Sequence, residues 1–282
     1  MSKLEKFLTK DEIASLKNMQ KAIHENQITV TCVGLYNHGK STLLNVLIKD
    51  FEYKTFKTAD VRETTLNKTV IYNDIKYVDT PGLNAQYDDD KKVMEAIENS
   101  DITLFVHTIA TGEFNKKEIE FLNNIKKYWK NPQEFMERTI FVLSRIDNIS
   151  NSEDIENTSN KMQEQIKDIF DSECLIIPIS STDYTDGMVE NEEELISESN
   201  IKILEEEIAF LSKESKEAII KTKRKRFEYK FYELQLKLNQ KLQLNHKKIK
   251  ELQEEKKKKN IEFKADISKI EDTLKSMYSR ID

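Results

Sequence analysis

Gly34-Leu-Tyr-Asn-His-Gly-Lys-Ser-Thr42 is the stretch that decides the fold of this chain. It matches G-x-x-x-x-G-K-[ST], the pattern of a phosphate-binding loop. The β-branched run Ile28–Val33 before it predicts a strand, and Leu43–Ile48 after it predicts a helix. A glycine loop between a strand and a helix directs backbone N–H groups and the positive helix end at phosphate oxygens. The stretch therefore predicts a nucleotide-phosphate site in an α/β domain.

Each residue type in this loop has an expected chemical role. We expect Lys40 to reach the β- and γ-phosphates and the Ser41 hydroxyl to take one position on Mg²⁺. Glycine lets the backbone approach a ligand closely, and two of the 5 glycines in 282 residues lie here. The predicted contacts in the loop are Gly34, Asn37, His38, Gly39, Lys40, Ser41 and Thr42.

A second motif, Asp79-Thr-Pro-Gly82, follows the strand-like run Ile75–Val78. A carboxylate at the end of a strand can hold Mg²⁺ through a water, and the Gly82 N–H can contact a γ-phosphate. A segment that senses this phosphate can reorder when the phosphate leaves, which makes it a switch. Pro-Gly is also a common turn, so the motif gains its meaning from the phosphate-binding loop upstream.

With these two motifs in order, the chain resembles the P-loop GTPases, and Asp-Thr-Pro-Gly is the form typical of their Era-like and dynamin-like branches. The resemblance covers residues 27–215. It implies GTP and Mg²⁺ as ligands and a mostly parallel sheet with helices on both faces. It also implies a threonine that closes over Mg²⁺. Thr64 and Thr65 both fit, and similarity to relatives with paired threonines favours Thr65.

The resemblance further implies a base-reading motif, usually Asn-Lys-x-Asp. The strand-like run Thr139–Leu143 precedes Ser144-Arg-Ile-Asp147, in which Asp147 matches the carboxylate that accepts hydrogen bonds from guanine. The serine and arginine depart from the usual pair, in a direction that dynamin-like proteins tolerate, and this weakens the guanine assignment. The last motif is matched loosely by a serine pair after another strand-like run. The base contacts implied are Ser144, Arg145, Asp147, Ser180 and Ser181.

Two positions bear on hydrolysis. Leu83 stands where Ras-like enzymes place the glutamine that orients water, so that side chain is missing. Asn37 occupies the position that, in potassium-activated Era-like relatives, helps to hold a monovalent cation, whereas a neutral loop filler is the alternative. The resemblance thus implies hydrolysis assisted by K⁺ or Na⁺ and completed when two GTPase domains face each other. The implied catalytic set is Lys40, Thr65, Asn37 and Gly82, and the implied metal ligands are Ser41, Thr65 and Asp79.

His38 could act as a general base, but phosphoryl transfer depends on positioning more than on proton abstraction. A packing or loop role is therefore favoured for it.

Charge divides the chain unevenly. The net charge is −6, yet residues 216–282 carry 20 Lys and Arg against 11 Asp and Glu. This segment has no Gly or Pro, and its apolar residues repeat at helical spacing. The last of them form a seam with steps of four and three, which is typical of a coiled coil. The seam consists of Phe263, Ile267, Ile270, Leu274, Met277 and Ile281. A hairpin corner at Lys256–Asn260 is favoured over one continuous helix.

The N-terminus predicts a further helix, because Thr9-Lys-Asp-Glu12 has the form of a capping box. Helices that flank the GTPase domain of dynamin-like proteins pack as a neck and stalk. We therefore expect three parts: a helix in residues 1–26, a GTPase domain in 27–215 and a helical region in 216–282. The resemblance implies a homodimer through the GTPase domains, and the seam could pair with a second chain. The acidic stretch Asp183–Glu198 is expected to form an exposed loop.

The basic clusters Lys223–Arg226 and Lys256–Lys259 could bind anionic lipid or nucleic acid. A solvated helix face is favoured instead, and nucleic acid is not expected as a partner. No secretory leader or apolar run of about 18 residues is found. We therefore expect a cytoplasmic protein and leave peripheral membrane attachment open.

Three functions compete. The first is a GTPase whose cycle moves the helical region. The second is a nucleotide-gated scaffold with little hydrolysis, which Leu83 and the altered base motif make credible. The third is a ribosome-assembly GTPase, which would need an RNA-binding module beyond the basic helices.

Overall fold

The computed structural model describes residues 7–24, 27–56, 68–83, 87–129, 131–213 and 216–278. The described chain forms two compact units. One is an α/β unit within residues 19–224, and the other is an all-helical unit made of residues 7–18 and 225–278. The first and last helices each contribute residues to both units.

A six-stranded sheet forms the centre of the α/β unit. Its strands are β1 (Ile28–Val33), β2 (Lys68–Tyr72), β3 (Ile75–Asp79), β4 (Ile102–Thr108), β5 (Thr139–Ser144) and β6 (Ile176–Ile179). Their order is β2-β3-β1-β4-β5-β6, and every neighbouring pair is parallel except the antiparallel β2 and β3. The predicted α/β fold with a mostly parallel sheet is confirmed.

Ten α-helices are found in the described residues. They are α1 (Lys10–His24), α2 (Lys40–Leu47), α3 (Tyr87–Glu98), α4 (Lys116–Tyr128), α5 (Pro132–Met136), α6 (Ser152–Phe170), α7 (Ser181–Glu190), α8 (Glu193–Glu198), α9 (Ile201–Ser212) and α10 (Lys216–Tyr278). Short 3-10 helices follow β4 and β5, at Ile109–Thr111 and Ile146–Asn148.

Both faces of the central strands are covered, which explains their continuous apolar sequences. Successive residues of β4 alternate between two cores: Leu104 and Val106 pack in one, and Phe105 packs in the other. Burying each such side chain stabilises the fold by about 1.5–3 kcal/mol. The strands β1, β3, β4 and β5 pair in parallel, so their carboxyl ends lie at the same edge of the sheet.

A buried ion pair lies at the opposite edge. The Lys223 side chain, in the first turns of α10, places Nζ 3.0 Å from Asp101 Oδ2 and donates to the Gln27 carbonyl at 3.1 Å. The same carboxylate oxygen accepts the Thr29 N–H at 2.9 Å. Both charged side chains are less than 10% exposed, with 7% for Lys223 and 6% for Asp101. The start of α10 is thereby fixed to the amino ends of β1 and β4.

The predicted acidic loop is wrong. Asp183–Glu198 forms most of α7 and α8, and Ser180 caps α7 by accepting the Asp183 N–H at 3.0 Å. The acidic residues near the start of each helix suit the positive helix end, and Ile196 is buried as an anchor. Charge alone suggested a loop, whereas the cap and this apolar contact favour helices.

In the helical unit the capping box is confirmed. The Thr9 N–H donates to Glu12 Oε2 at 2.8 Å, and the Glu12 N–H donates to Thr9 Oγ1 at 3.2 Å. A hydrogen bond from Lys237 on α10 lowers the pKa of Glu12. This contact joins α1 to α10 within the unit.

The predicted hairpin is wrong, because α10 is one helix of 63 residues that runs through Lys256–Asn260. Lysine is a good helix former, and no glycine or proline interrupts the run. Leu234 is buried, but the described seam residues are exposed, with 66% for Phe263 and 60% for Leu274. Among the described residues no helix combines the length and apolar character needed to cross a bilayer.

We expect Lys223→Met to lower the free energy of unfolding of the α/β unit by about 3–5 kcal/mol, because it leaves a buried carboxylate without its partner. Lys221→Met, at an exposed position of the same helix, should change it by less than about 0.5 kcal/mol. Urea unfolding followed by fluorescence of Trp129, the single tryptophan, measures both. Equal stability of the two variants would contradict a structural role for the pair.

Candidate functional site

The phosphate-binding loop joins β1 to α2 and lies directly against β4. A Cβ atom on Gly34 would come within 2.2 Å of the Val106 carbonyl oxygen. Gly34 has φ of +149° and Gly39 has φ of +87°, values that side chains rarely adopt. Asn37 has φ of +63°, a left-handed conformation that asparagine tolerates well. The motif residues therefore have backbone conformations that suit their types.

Lys40 is the first residue of α2 and its side chain folds back over the loop. Nζ donates a hydrogen bond to the Leu35 carbonyl at 2.8 Å. Burial lowers the pKa of Lys40, and the nearby Asp79 carboxylate opposes that shift. A buried ammonium held by a carbonyl can move onto a phosphate oxygen at little cost, because the phosphate supplies the opposite charge. Thr42 follows in the first turn of the same helix.

Ser41 and Asp79 meet at the carboxyl ends of β1 and β3. The Ser41 hydroxyl donates to Asp79 Oδ2 at 2.7 Å, and Oδ1 is buried without a hydrogen-bond partner among the described residues. Burial raises the pKa of Asp79, while the Ser41 hydrogen bond and the Lys40 charge oppose this. An unpartnered carboxylate oxygen beside a hydroxyl fits Mg²⁺, which prefers oxygen ligands. Thr64 and Thr65 lie outside the described residues.

The segment after Asp79 is attached to the phosphate-binding loop. The Leu83 N–H donates to the Gly34 carbonyl at 3.1 Å, and a Cβ atom on Gly82 would lie 2.8 Å from Tyr36 Cα. Thr80 Oγ1 donates to the Cys32 carbonyl at 2.8 Å. The Leu83 side chain is only 2% exposed, so it cannot replace a water-orienting glutamine.

The residues predicted to read the base divide into two groups. Ser144 faces inward, and its hydroxyl donates to the His38 carbonyl at 2.8 Å, which ties β5 to the phosphate-binding loop. Arg145 and Asp147 are exposed. Asp147 Oδ1 accepts a hydrogen bond from the buried Ser180 hydroxyl at 2.9 Å, so its position is fixed. Ser181 begins α7.

A buried cluster that the sequence did not reveal lies beneath His38. His107 Nδ1 lies 2.8 Å from Glu118 Oε1, and His107 Nε2 lies 2.7 Å from the Gly112 carbonyl oxygen. His38 Nδ1 is 3.4 Å from the same carboxylate oxygen without forming a hydrogen bond. Burial acts to raise the pKa of Glu118, but the hydrogen bond to His107 and the nearby His38 ring prevail and lower it to about 2.

The sequence held one signal for this cluster. Asn115-Lys-Lys-Glu118 has the form of a capping box, and both of its hydrogen bonds are present at the start of α4. The pattern places Glu118 in the first turn of a helix. It does not show that the carboxylate meets two histidines that are distant in sequence.

Gly34→Ala should unfold the α/β unit or destabilise it far more than Gly112→Ala. Both positions have positive φ, which alone costs about 1–2 kcal/mol, but only the Gly34 Cβ would overlap backbone, since nothing lies within 4 Å of the Gly112 Cβ position. Urea unfolding of the two variants measures the difference. Similar stabilities would contradict the close approach.

The pKa of Glu118 predicts a pH dependence. A carboxyl group whose pKa falls from 4.5 to about 2 on folding contributes stability above pH 4.5 that is lost as the pH falls toward 2. The contribution is on the order of 3 kcal/mol. The difference in unfolding free energy between the native chain and Glu118→Gln should therefore be largest near neutral pH and shrink in acid. A difference that is constant from pH 7 to pH 3 would contradict this assignment.

Comparisons with known proteins agree with this geometry. A family model described as 50S ribosome-binding GTPase matches residues 29–145. An uncharacterized protein of Acinetobacter baylyi is 31% identical over 179 residues, which are 62% of this chain and 40% of that protein. The tRNA modification GTPase MnmE of Thermosipho melanesiensis is 30% identical, over 58% of this chain and 40% of its own length. GTPase Era of Clostridium tetani is 29% identical, over 54% of this chain and 50% of its own.

Among solved structures, LeoA, a bacterial dynamin GTPase from ETEC, aligns with a TM-score of 0.55. The alignment covers 83% of this chain and 49% of LeoA at 13% identity, so the likeness is one of fold. The chain spans half or less of the length of the curated relatives named above.

The α/β unit has the fold and the motif order of P-loop GTPase domains, and the family match covers residues 29–145 of it. Its relatives by sequence include the GTPases Era, Der and MnmE.

Proposed function

We propose that the chain binds GTP with Mg²⁺ and hydrolyses it, and that the nucleotide state controls the segment from Asp79 to Leu83. The observation that carries this proposal is the pairing of Ser41 with Asp79, whose second oxygen is buried without a partner in the described chain. A buried, unsatisfied carboxylate oxygen is costly unless a ligand completes it. Bound Mg²⁺ would complete it and neutralise charge on the phosphates, with Ser41, Asp79 and Thr65 as its protein contacts.

Water attack on the γ-phosphate is the proposed reaction. Lys40 and the backbone N–H groups of the loop stabilise the charge that develops on the phosphate oxygens. No glutamine stands at position 83, and Leu83 is buried, so another group must position the water or supply charge. Asn37 is exposed at the loop surface, where it can help to hold K⁺ or Na⁺.

The proposed active form is a dimer through the GTPase domains. The exposed Asn37 and the 41% exposed Tyr36 stand side by side on the phosphate-binding loop, so a second GTPase domain has access to them. A facing domain would exclude water and complete the cation site. The dynamin-like assignment and the dimer are parts of this proposal, and the fold likeness to LeoA is compatible with them.

We further propose a route from the nucleotide to the helical region. In the sequence, α3 begins four residues after the segment Asp79–Leu83. It ends at Glu98, three residues before Asp101, whose carboxylate pairs with Lys223. A shift of α3 would therefore act on the ion pair that fixes the start of α10. Motion of the helical region is the proposed output, and the exposed seam of α10 is the proposed contact for a second chain.

Attachment to a membrane surface from the cytoplasm is a further part of the proposal. Lys256–Lys259 is exposed and could contact anionic lipid. Within Lys223–Arg226, however, Lys223 is buried in its ion pair, so this cluster is not a free basic patch.

A nucleotide-gated scaffold with little hydrolysis is the second candidate. The buried Leu83 favours it, because a domain without a positioned water can hold GTP for a long time. In that case nucleotide binding alone would set the arrangement that a partner recognises.

GTP turnover per mole of chain, measured over a hundredfold range of chain concentration in K⁺, Na⁺ and Cs⁺ buffers with Mg²⁺, separates the two candidates. The enzyme proposal expects a rate that rises with concentration and depends on the cation. Asn37→Gly, which keeps the positive φ accessible, should lose the cation dependence, and Lys40→Ala should abolish turnover. Tight GTP binding with no turnover at any concentration would instead establish the scaffold.

Base selection tests the role of Asp147. Asp147→Asn replaces an acceptor with an amide that offers donors to the guanine N–H groups, so GTP affinity should fall by about 10- to 100-fold. Affinity for XTP, which carries an oxygen in place of the guanine amino group, should rise. Competition of unlabelled GTP, XTP and ATP against a fluorescent guanine nucleotide measures both changes. Unchanged GTP affinity in this variant would show that Asp147 does not read the base.

A further inference from the structure

The environment of His107 limits where the protons on its ring can lie. One ring nitrogen lies 2.7 Å from the Gly112 carbonyl oxygen and the other lies 2.8 Å from a Glu118 carboxylate oxygen. A carbonyl oxygen can only accept a hydrogen bond, and so can an ionised carboxylate. Beside an ionised Glu118 both nitrogens of His107 would donate and the ring would be an imidazolium, whereas beside a protonated Glu118 the ring would be neutral. The side chains of His107 and Glu118 are both 0% exposed.

Glu118 is equally constrained. Oε1 accepts from His107, and Oε2 accepts the Asn115 N–H at 3.1 Å in the capping box. Because both oxygens accept, an amide in this place would turn a donor toward one of the two N–H groups. The contacts suit an ionised Glu118, whose charge an imidazolium at His107 would balance.

His107 and Glu118 contact the phosphate-binding loop through His38. The His38 ring packs edge-on against His107, with 5.2 Å between ring centroids, and its Nδ1 lies 3.4 Å from Glu118 Oε1. On its other side the His38 carbonyl accepts the Ser144 hydroxyl at 2.8 Å. His38 is therefore held through both its ring and its backbone, immediately before Gly39 and Lys40.

We propose that His107 and Glu118 are positioning residues for nucleotide binding: a buried imidazolium–carboxylate pair that seats His38 and so fixes the phosphate-binding N–H groups of the loop. They touch no nucleotide and act through His38. The inference rests on the proposed nucleotide binding at this loop and extends it to residues that no loop motif contains. A looser loop would bind phosphate more weakly, because part of the binding energy would be used to order it.

The competing explanation of the cluster is a metal site. The ligand atoms of His38, His107 and Glu118 lie within 4.8 Å of one another. A metal ion on His107 Nδ1 would displace the proton that the 2.8 Å contact with Glu118 uses. The two explanations therefore differ in the protonation of one ring nitrogen and in metal content.

The test uses the full chain and two pairs of variants. His107→Phe keeps a planar ring and removes both donors, and Glu118→Gln removes the charge. Ile166→Ala on α6 and Ile208→Ala on α9 are the controls, because each removes a buried side chain that belongs to neither the nucleotide site nor the proposed route to α10. Affinity for a fluorescent guanine nucleotide, kcat and KM for GTP, and urea stability are measured for each.

We expect His107→Phe and Glu118→Gln each to raise the nucleotide Kd and the KM by about tenfold or more, with kcat within about threefold of the native value. The double variant should bind nucleotide as tightly as the single variant with the higher Kd, because the pair acts as one unit. The control variants should lose stability to a similar degree and keep nucleotide Kd within about twofold. Equal loss of affinity in both pairs, or unchanged affinity in the first pair, would overturn the inference.

Histidine ring ¹⁵N NMR of the nucleotide-free chain, with His107→Phe for assignment, provides a readout independent of nucleotide. Two protonated ring nitrogens on His107 support the inference. A single protonated nitrogen, or stoichiometric Zn²⁺ in the purified chain with loss of the Nδ1 proton, would overturn it. Failure of the native chain to bind any guanine nucleotide would overturn the proposed function and this inference together. Native binding with unchanged variants would overturn this inference alone.

Discussion

The close approach of Gly34 to the Val106 carbonyl is the constraint on which the nucleotide site depends. Only a residue without a side chain fits there, since a Cβ atom would lie 2.2 Å from the carbonyl oxygen. The contact places the phosphate-binding loop on β4. There the Gly34 carbonyl also accepts a hydrogen bond from the Leu83 N–H. One steric condition thus brings together the carboxyl ends of β1, β3 and β4, and with them Lys40, Ser41 and Asp79.

The buried charged side chains around this contact differ in whether they have a partner. Two acidic side chains have basic partners: Asp101 contacts Lys223 at one edge of the sheet, and Glu118 contacts His107 beneath the loop. Asp79 differs, because one of its oxygens is buried with no partner among the described residues. Charges that are matched within the fold stabilise it or position its parts, whereas the unmatched oxygen marks where a ligand belongs.

Local patterns predicted the fold well because they report local physics. The strand, glycine loop and helix around Gly34–Thr42 were recognisable from residue types alone, and so was the capping box of Thr9 and Glu12. The two wrong predictions, the hairpin at Lys256–Asn260 and the loop at Asp183–Glu198, came from segments where charge dominated the sequence. Charge reports solvent exposure, and an exposed helix face and an exposed loop share it, so composition could not separate them.

The sequence by itself determined the class of domain, the order of its motifs and the residues that would surround a nucleotide phosphate. These depend on backbone conformations that only certain residues allow. Tertiary structure alone decided that Ser144 binds the His38 carbonyl, that Asp147 is held by Ser180, and that His107 and Glu118 meet beneath the loop. Each of these contacts joins residues on different elements of the sheet and its helices. No spacing within the sequence encodes such a distance, because it is set by the packing of strands and helices around two separate cores.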